Sequence, residues 1–240
     1  MKLLIVIPTY NEAENAAILI RRLLKNIPDC EILVIDDGSP DGTAQIVENL
    51  QREFASLHIL KRQQKSGLGG AYRTGFAWGL NRGYSELVEM DADMSHRVRD
   101  LAKMISVKEQ NPNTSLVIGS RWTKGGATTN WSKPRELLSR TANLYVRLML
   151  GMGVKDATAG FRIYSADILQ KIDLASIKSE GYSFQIEMTR EDRRLGGSII
   201  EVPLAFRERE QGVSKMSKKI VREAMFLVTV WGLKRVLRVK

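Results

Sequence analysis

The strongest constraint on the fold is a recurrence of short apolar runs, each of which stops at a polar turn and gives way to helical spacing. Leu3-Leu4-Ile5-Val6-Ile7 is a continuous apolar run closed by Pro8-Thr9-Tyr10-Asn11, as expected of a parallel strand covered on both faces and then broken. From Glu12 to Ile27, the residues Ile18, Leu19, Leu23 and Leu24 recur at helical intervals. The cycle repeats with a strand at Ile32 to Ile35 and a helix from Thr43 to Phe54, then a strand at Leu57 to Leu60 and a helix from Ala71 to Asn81. A strand at Leu87 to Met90, a helix from near Val98 through Leu101 to Gln110, and a strand at Leu116 to Ile118 complete it. This order predicts an α/β fold, a doubly wound and mostly parallel sheet with helices on both faces and its binding loops at one edge. Beyond about residue 120 the alternation fades. Helices near Glu136 to Leu150 and Ala166 to Ile172, and short strands near Gly160 to Tyr164 and Ile199 to Val202, predict a lid or acceptor-side region packed on the sheet. With no repeat, low-complexity segment or linker, residues 1–120 and 121–215 read as two halves of one domain, followed by a basic segment at 216–240.

The most chemical of the strand ends is Met90-Asp91-Ala92-Asp93. Alternation puts Asp91 and Asp93 on the same side. Two carboxylates at the carboxyl end of a parallel strand suit Mg²⁺ or Mn²⁺, leaving open positions for phosphate oxygens; the plainer reading is that Asp93 or Ser95 caps the next helix. Pro8, Tyr10 and Glu12 follow the first strand, where a ring can pack on a base and a carboxylate can accept its exocyclic hydrogens. Asp36 and Asp37 end the second strand, where a carboxylate takes a base or ribose group. Gly38-Ser39-Pro40-Asp41-Gly42 by itself is a turn and helix cap. Lys65-Ser66-Gly67-Leu68-Gly69-Gly70 resembles a phosphate loop weakly: it lacks the Gly-Lys-Ser/Thr ending, and a dinucleotide fingerprint would follow the first strand. Arg121, just past the last strand of the series, can grip phosphate with two prongs or be an ordinary surface cation.

Charge narrows the ligand class. Against 27 acidic residues stand 37 Lys and Arg, a net charge of +10, which favours an anionic partner. Nucleic acid is disfavoured, because aromatics make up only 7% of the chain and no nucleic-acid motif surrounds the basic residues. Cys30 is the single cysteine, and the histidines are only His58 and His96, so an internal disulfide and a Cys/His metal cluster are both excluded. A reducing cytoplasm is the expected setting. Met1-Lys2 runs straight into the first strand, too short for a signal-peptide core.

Taken together, Val6-Ile7-Pro8-Thr9-Tyr10-Asn11-Glu12, Val34 to Thr43, Gly67-Leu68-Gly69, Met90 to His96, Gly119-Ser120-Arg121 and Gly212-Val213-Ser214-Lys215-Met216 resemble, in order and over most of the chain, the family 2 inverting glycosyltransferases of the GT-A fold. The pairing of the Asp-Ala-Asp segment with the late Gly-Val-Ser-Lys segment is similar to the polyprenyl (dolichyl) phosphate mannosyltransferases among them. The resemblance implies that Pro8, Tyr10, Glu12, Ile35 and Asp37 hold the nucleotide of GDP-mannose. It implies that Asp91, Ala92 and Asp93 hold Mg²⁺ or Mn²⁺ and the sugar diphosphate, with Arg121, Arg209 and Lys215 around the phosphates. Arg121, Arg135 and Ser139 would receive the phosphate of a polyprenyl or dolichyl acceptor. The implied reaction is a single inverting displacement that yields polyprenyl phosphate mannose. Glucosyl or aminosugar transfer to the same lipid, and a catalytically silent sugar-nucleotide-binding module, are the competing readings. Two departures from the family pattern are Arg97-Val98, where an acidic residue and a proline are usual, and the highly charged Arg190 to Gly197.

The last 25 residues carry Lys218, Lys219, Arg222, Lys234, Arg235, Arg238 and Lys240 against Glu223. Between the clusters, Ala224 to Leu233 is mostly apolar, half of the ~20 residues that a membrane-spanning helix requires. The expectation is an amphipathic helix lying on the cytoplasmic face of a membrane, with Phe226 and Trp231 immersed. On that reading a chain ending at Ser217 would still fold. A core helix, a subunit contact, or an anchor supplied by a separate membrane protein are the other possibilities.

Overall fold

Each apolar run becomes a strand because it can be buried on both faces at once. In a computed structural model describing residues 1–63, 67–207 and 218–237, the elements run β1 (Leu3–Thr9), α1 (Ala13–Asn26), β2 (Cys30–Asp36), α2 (Thr43–Gln51), β3 (Leu57–Lys61), α3 (Gly67–Leu80), β4 (Glu86–Glu89), α4 (Val98–Gln110) and β5 (Leu116–Ser120). They continue with β6 (Ala127–Thr129), α5 (Lys133–Leu150), β7 (Arg162–Ser165), α6 (Ala166–Lys171), α7 (Gly181–Arg194), β8 (Ile199–Pro203), β9 (Ala205–Arg207) and α8 (Lys218–Leu237). Along β1, Leu4 and Val6 enter the core on one face of the sheet and Leu3, Ile5 and Ile7 the core on the other, the two-residue period of a strand. Burying each such side chain contributes about 1.5–3 kcal/mol.

The main sheet has the order β3-β2-β1-β4-β7-β5-β8. All neighbours are parallel except β7, which is antiparallel to both β4 and β5. Residues beyond 120 therefore lie within the sheet as β7 and β8, and not only on top of it. Because β7 runs backwards, its beginning stands at the edge where β4 ends: Glu89 pairs with Arg162. The chain preceding β7, residues 156–161, is thereby brought beside the Asp91 loop. Strand order reverses between β1 and β4, and the crevice beyond such a reversal is where open α/β sheets bind ligands. A two-stranded ribbon, β6 with β9, closes over the same end.

One face of the sheet is covered by α1, α2 and α4, the other by α3 and α5 to α8. The helix α7 was not expected from its charged sequence, yet it buries Phe184, Ile186 and Met188. The last helix, α8, docks on α5: Ala224, Val228 and Gly232 are buried, and a Cβ on Gly232 would stand 2.5 Å from Met149 Cε. Tyr145 and Thr229 hydroxyls meet at 2.7 Å. Phe226 is 68% exposed, as expected. Trp231 instead packs partly against the core, with the Arg190 guanidinium 5.4 Å from its ring. No helix among the described residues is long and apolar enough to cross a membrane.

Candidate active site

A cleft of about 480 Å³ opens at the carboxyl ends of β1, β2 and β4, lined by Pro8, Tyr10, Glu12, Asp37, Asp91, Ala92 and Asp93 at one side and by Arg121, Trp131, Arg135 and Tyr182 at the other. The two acidic residues that end β2 have separate tasks. Asp36 is buried and accepts from Thr9 Oγ1 at 3.0 Å, Ser39 N at 2.9 Å and Ser39 Oγ at 2.6 Å. It ties the loops after β1 and β2 together. Asp37 faces the cleft, gripped by Arg62 through Nε and Nη2 at 2.6 and 2.7 Å. The turn beyond them is the helix cap that its sequence suggested: Asp41 accepts from the backbone of Ala13 and of Thr43, both at 3.0 Å, joining the starts of α1 and α2. Ile35 lies elsewhere. Its side chain is wholly buried in the core because alternation places it opposite its neighbours, so it lines no part of the cleft.

The Asp91 loop is shaped by His96. The Asp91 N–H donates to His96 Nδ1 at 3.1 Å, which leaves the ring proton on Nε2. The imidazole is buried and stacked on Phe161, centroids 4.5 Å apart and 6° from parallel. Burial pushes His96 down to about 4, with Asp93 opposing and Arg121 reinforcing, so the ring is neutral at pH 7. Met94 sits at φ 63°, and the turn it makes lets Ser95 N–H donate to Asp93 Oδ1 at 3.1 Å. Among the described residues no three acidic, His or Cys side chains form a metal cage. What the loop offers is two carboxylates in the cleft, while the Ser95 hydroxyl of the same loop is buried without a hydrogen-bond partner. That all-oxygen donor set fits a hard divalent cation whose remaining positions go to phosphate.

Arg121 is not a two-pronged phosphate grip. Its Nε and Nη2 are held by Asp156 at 2.8 and 2.6 Å, Nη2 also donates to Thr158 Oγ1 at 2.9 Å, and its own N–H donates to Asp156 at 2.8 Å. The pairing edge is spent internally because β7 carries the 156–161 segment to it, and the guanidinium carbon stands 5.4 and 5.7 Å from the Trp131 and Phe206 ring centres. Arg135 and Ser139 lie one turn apart on α5, and the Arg135 guanidinium stands 4.1 Å from the Trp131 ring centre. Arg121, Arg135 and Ser139 all line one smaller cavity next to the cleft. Arg209, Lys215 and the Gly212 to Met216 segment lie outside the described residues.

The glycine segment that opens α3 is not a phosphate loop. Glu180 places its carboxylate at the helix start, accepting from Gly69 N at 2.7 Å and Gly70 N at 3.1 Å, with Arg73 at 3.3 Å. The anion that a helix N-terminus attracts is thus supplied by the chain itself. A Cβ at Gly67 would fall 2.3 Å from Glu180 Oε2, and one at Gly69 would fall 2.7 Å from Ser179 O. The glycines make room for this contact. Lys65 and Ser66 lie outside the described residues.

Residues 4–173 match the model of glycosyl transferase family 2. The chain is 48% identical over 232 residues to polyprenol monophosphomannose synthase of Mycolicibacterium smegmatis, covering 96% of this chain and 87% of that protein. It is 49% identical over 233 residues to undecaprenyl-phosphate mannosyltransferase of Micrococcus luteus, covering 97% and 95%. Among solved structures it is similar to glucosyl-3-phosphoglycerate synthase of Mycobacterium tuberculosis with Mn²⁺, UDP-glucose and phosphoglyceric acid, at TM-score 0.71 and 19% identity over 96% of this chain and 79% of that one. It is also similar to a mannosyltransferase of Pyrobaculum calidifontis with GDP-mannose and Mn²⁺, at TM-score 0.60 and 18% identity over 100% of this chain and 65% of that one.

Proposed function

The chain belongs to glycosyl transferase family 2, an enzyme family, and on that premise we propose that it moves mannose from GDP-mannose onto the phosphate of a polyprenyl monophosphate, giving polyprenyl phosphate mannose with inversion at the sugar. The supporting observation is one continuous cleft: an acidic and aromatic end at Tyr10, Glu12 and Asp37, the Asp91 and Asp93 pair at its middle, and a cationic end at Arg121 and Arg135. The names of the two relatives near half identity agree with a polyprenyl phosphate acceptor, and the Pyrobaculum neighbour with a GDP-mannose donor and Mn²⁺.

The roles follow from where charge builds. Pro8, Tyr10, Glu12 and Asp37 hold the nucleoside, and Asp91, Ala92 and Asp93 hold the diphosphate. Asp91 and Asp93 would hold a divalent cation, which would supply neutralisation of charge on the diphosphate. An acceptor phosphate already carries its nucleophilic oxygen ionised, so the site needs orientation more than a base. His96 is not that base, since its Nδ1 is committed to Asp91 N–H. Arg135, Ser139 and Arg121 orient the acceptor oxygen behind the anomeric carbon, and Asp156 holds Arg121 still for that task. Lys215 and Arg209 complete the phosphate surroundings from the late segment. The protein works peripherally on the cytoplasmic face of a membrane through α8, alone or with a membrane-anchoring partner protein.

A screen of radiolabelled sugar nucleotides against a short polyprenyl phosphate, with Mg²⁺ or Mn²⁺, tests the reading. GDP-mannose is expected to give labelled lipid at least tenfold faster than UDP-glucose or UDP-N-acetylglucosamine. Preference for a UDP-sugar would overturn the donor assignment, and nucleotide binding without lipid labelling would favour a silent binding module.

A further inference from the structure

The wall of the cleft carries a buried amide with nothing to bond to. Gln185 of α7 is 2% exposed and lines the cleft together with Asp91, Asp93 and Gly160, yet among the described residues neither its Oε1 nor its Nε2 has a hydrogen-bond partner. Buried side-chain amides are as a rule satisfied, and an orphaned one calls for a water or a ligand. The Glu89 carboxyl, wholly buried in β4, neighbours the amide without completing a hydrogen bond to it. Loose anchoring is not the cause. The Gln185 carbonyl accepts from Arg162 Nη1 at 2.9 Å and from Thr189 Oγ1 at 2.8 Å, and Arg162 is itself fixed by the Ala157 and Ala159 carbonyls, both at 2.7 Å. This turn of α7 is thereby pinned to the chain that leads into β7, and the amide it holds at the cleft is preorganised.

Space beside the amide is kept by a glycine. Apart from its chain neighbours, a Cβ on Gly160 would meet nothing within 4 Å except Gln185 Nε2, at 3.8 Å, so a larger side chain at 160 would fill the volume that the amide faces. Glu89 pairs with Arg162, and carrying this antiparallel register two residues further sets Gly160 opposite Asp91. A sugar whose diphosphate lies at Asp91 and Asp93 starts at that point. We propose that the Gln185 amide reads the sugar of the donor by hydrogen bonding to hydroxyls of the hexose, with Gly160 leaving room for the ring. The inference rests on the sugar-nucleotide reading above and deepens it by naming a specificity-determining residue. An amide presents a donor and an acceptor side by side, a pattern that suits two adjacent hydroxyls. Discrimination follows from burial, because an analogue without the hydroxyl leaves the amide unpaired again.

Calorimetry on the full chain with Mn²⁺ tests this, with GDP, GDP-mannose and the monodeoxy GDP-mannoses as probes. Gln185→Ala is expected to weaken GDP-mannose at least tenfold while GDP affinity stays within twofold. Gly160→Val, which keeps the amide and fills the space it faces, should give the same split, and it carries the test by itself where Gln185→Ala does not fold. At one sugar carbon, loss of the hydroxyl should weaken binding to wild type at least tenfold and to Gln185→Ala less than twofold, a coupling that a merely structural glutamine would not produce. GDP-mannose affinity within twofold of wild type in both variants would overturn the assignment, as would equal losses of GDP and GDP-mannose. Wild-type protein that binds neither GDP nor GDP-mannose would instead bring down the sugar-nucleotide reading, and the inference with it.

Discussion

Asp156 has two tasks: it pins the Arg121 guanidinium and accepts that residue's backbone N–H. Both partners are at least 93% buried at the side chain, and removing one member of such a pair leaves an uncompensated charge that costs about 3–5 kcal/mol. Asp156→Ala is expected to lose stability on that scale in urea unfolding, together with acceptor affinity. A variant as stable as wild type would show that Arg121 is held by other means. Asp91→Asn and Asp93→Asn call for the opposite outcome. An amide keeps the oxygen that Ser95 N–H uses on Asp93 but gives up charge, so turnover should fall at least 100-fold, the scale of one lost electrostatic contact, with the melting temperature nearly unchanged. Glu86 supplies a pH signature away from the site. Burial pushes it up to about 7 even though Lys108 lies 3.2 Å away and pulls it down. The folded state then binds a proton more tightly than the unfolded chain, so Glu86 contributes stability below about pH 4.5 that is lost as pH rises through 7. Glu86→Gln should flatten this slope in melts taken between pH 4.5 and 7.5; an unchanged slope would assign it to other carboxyls. Residues at strand ends, such as Asp37, Asp91 and Asp93, were legible in the sequence because the strand itself aims them. Asp156, His96 and Glu180 were not, since their value comes from partners that topology brings together, 35 and 111 residues apart for the pairs Arg121–Asp156 and Gly69–Glu180.

At the scale of elements, five strands and the helices between them could be read from apolar runs alone, but β7 could not be placed. A four-residue strand carries no directional signal, and its antiparallel insertion between β4 and β5 is set by the way α5 returns the chain to the sheet edge. Similarly, α7 hides its buried Phe184, Ile186 and Met188 among charged neighbours such as Arg190 to Arg194, and periodicity weakens accordingly. The start of α3 shows how two distant elements define each other. Its glycine run read as a weak phosphate loop because the same feature, exposed helix N–H groups, serves any anion; here Glu180 at the start of α7 is that anion. Gly69→Ala would ordinarily gain about 1 kcal/mol of helix propensity. Against this, the new methyl would sit 2.7 Å from Ser179 O and 2.9 Å from Phe184, overlap of the kind that costs about 1–3 kcal/mol. Thermal melts of Gly69→Ala are expected to show net destabilisation. A gain in stability would mean that α7 yields easily and that its hold on α3 is loose.

For the whole molecule, the net charge of +10 and the placement of α8 decide how a chain without a spanning helix among its described residues meets a lipid substrate. Deleting 218–237 is a poor test of membrane docking, because Ala224, Val228 and Gly232 pack on α5 and their loss would strip cover from Val146, Met149 and Tyr145. The outward faces separate the two roles. On α8, Phe226, Leu233 and Leu237 are 68%, 52% and 68% exposed, and on the adjoining α5, Leu144 and Leu148 are 46% and 67% exposed. Basic side chains flank them at Arg140, Arg147, Lys234 and Arg235. Two neighbouring helices with apolar ridges and basic flanks suit an anionic bilayer surface, where apolar burial and headgroup attraction add. Phe226→Ser, Leu233→Ser and Leu237→Ser together remove three insertable side chains while leaving the packed face of α8 intact. The triple variant is expected to keep its melting temperature and its GDP-mannose affinity, and to lose sedimentation with phosphatidylserine vesicles by at least tenfold, which corresponds to about 1.4 kcal/mol. Activity on a long polyprenyl phosphate in vesicles should fall with it, while activity on a short acceptor in solution persists. If vesicle binding is unchanged, α8 is not the anchor, and the face it shares with α5 is then free to be tested for a membrane-embedded partner protein.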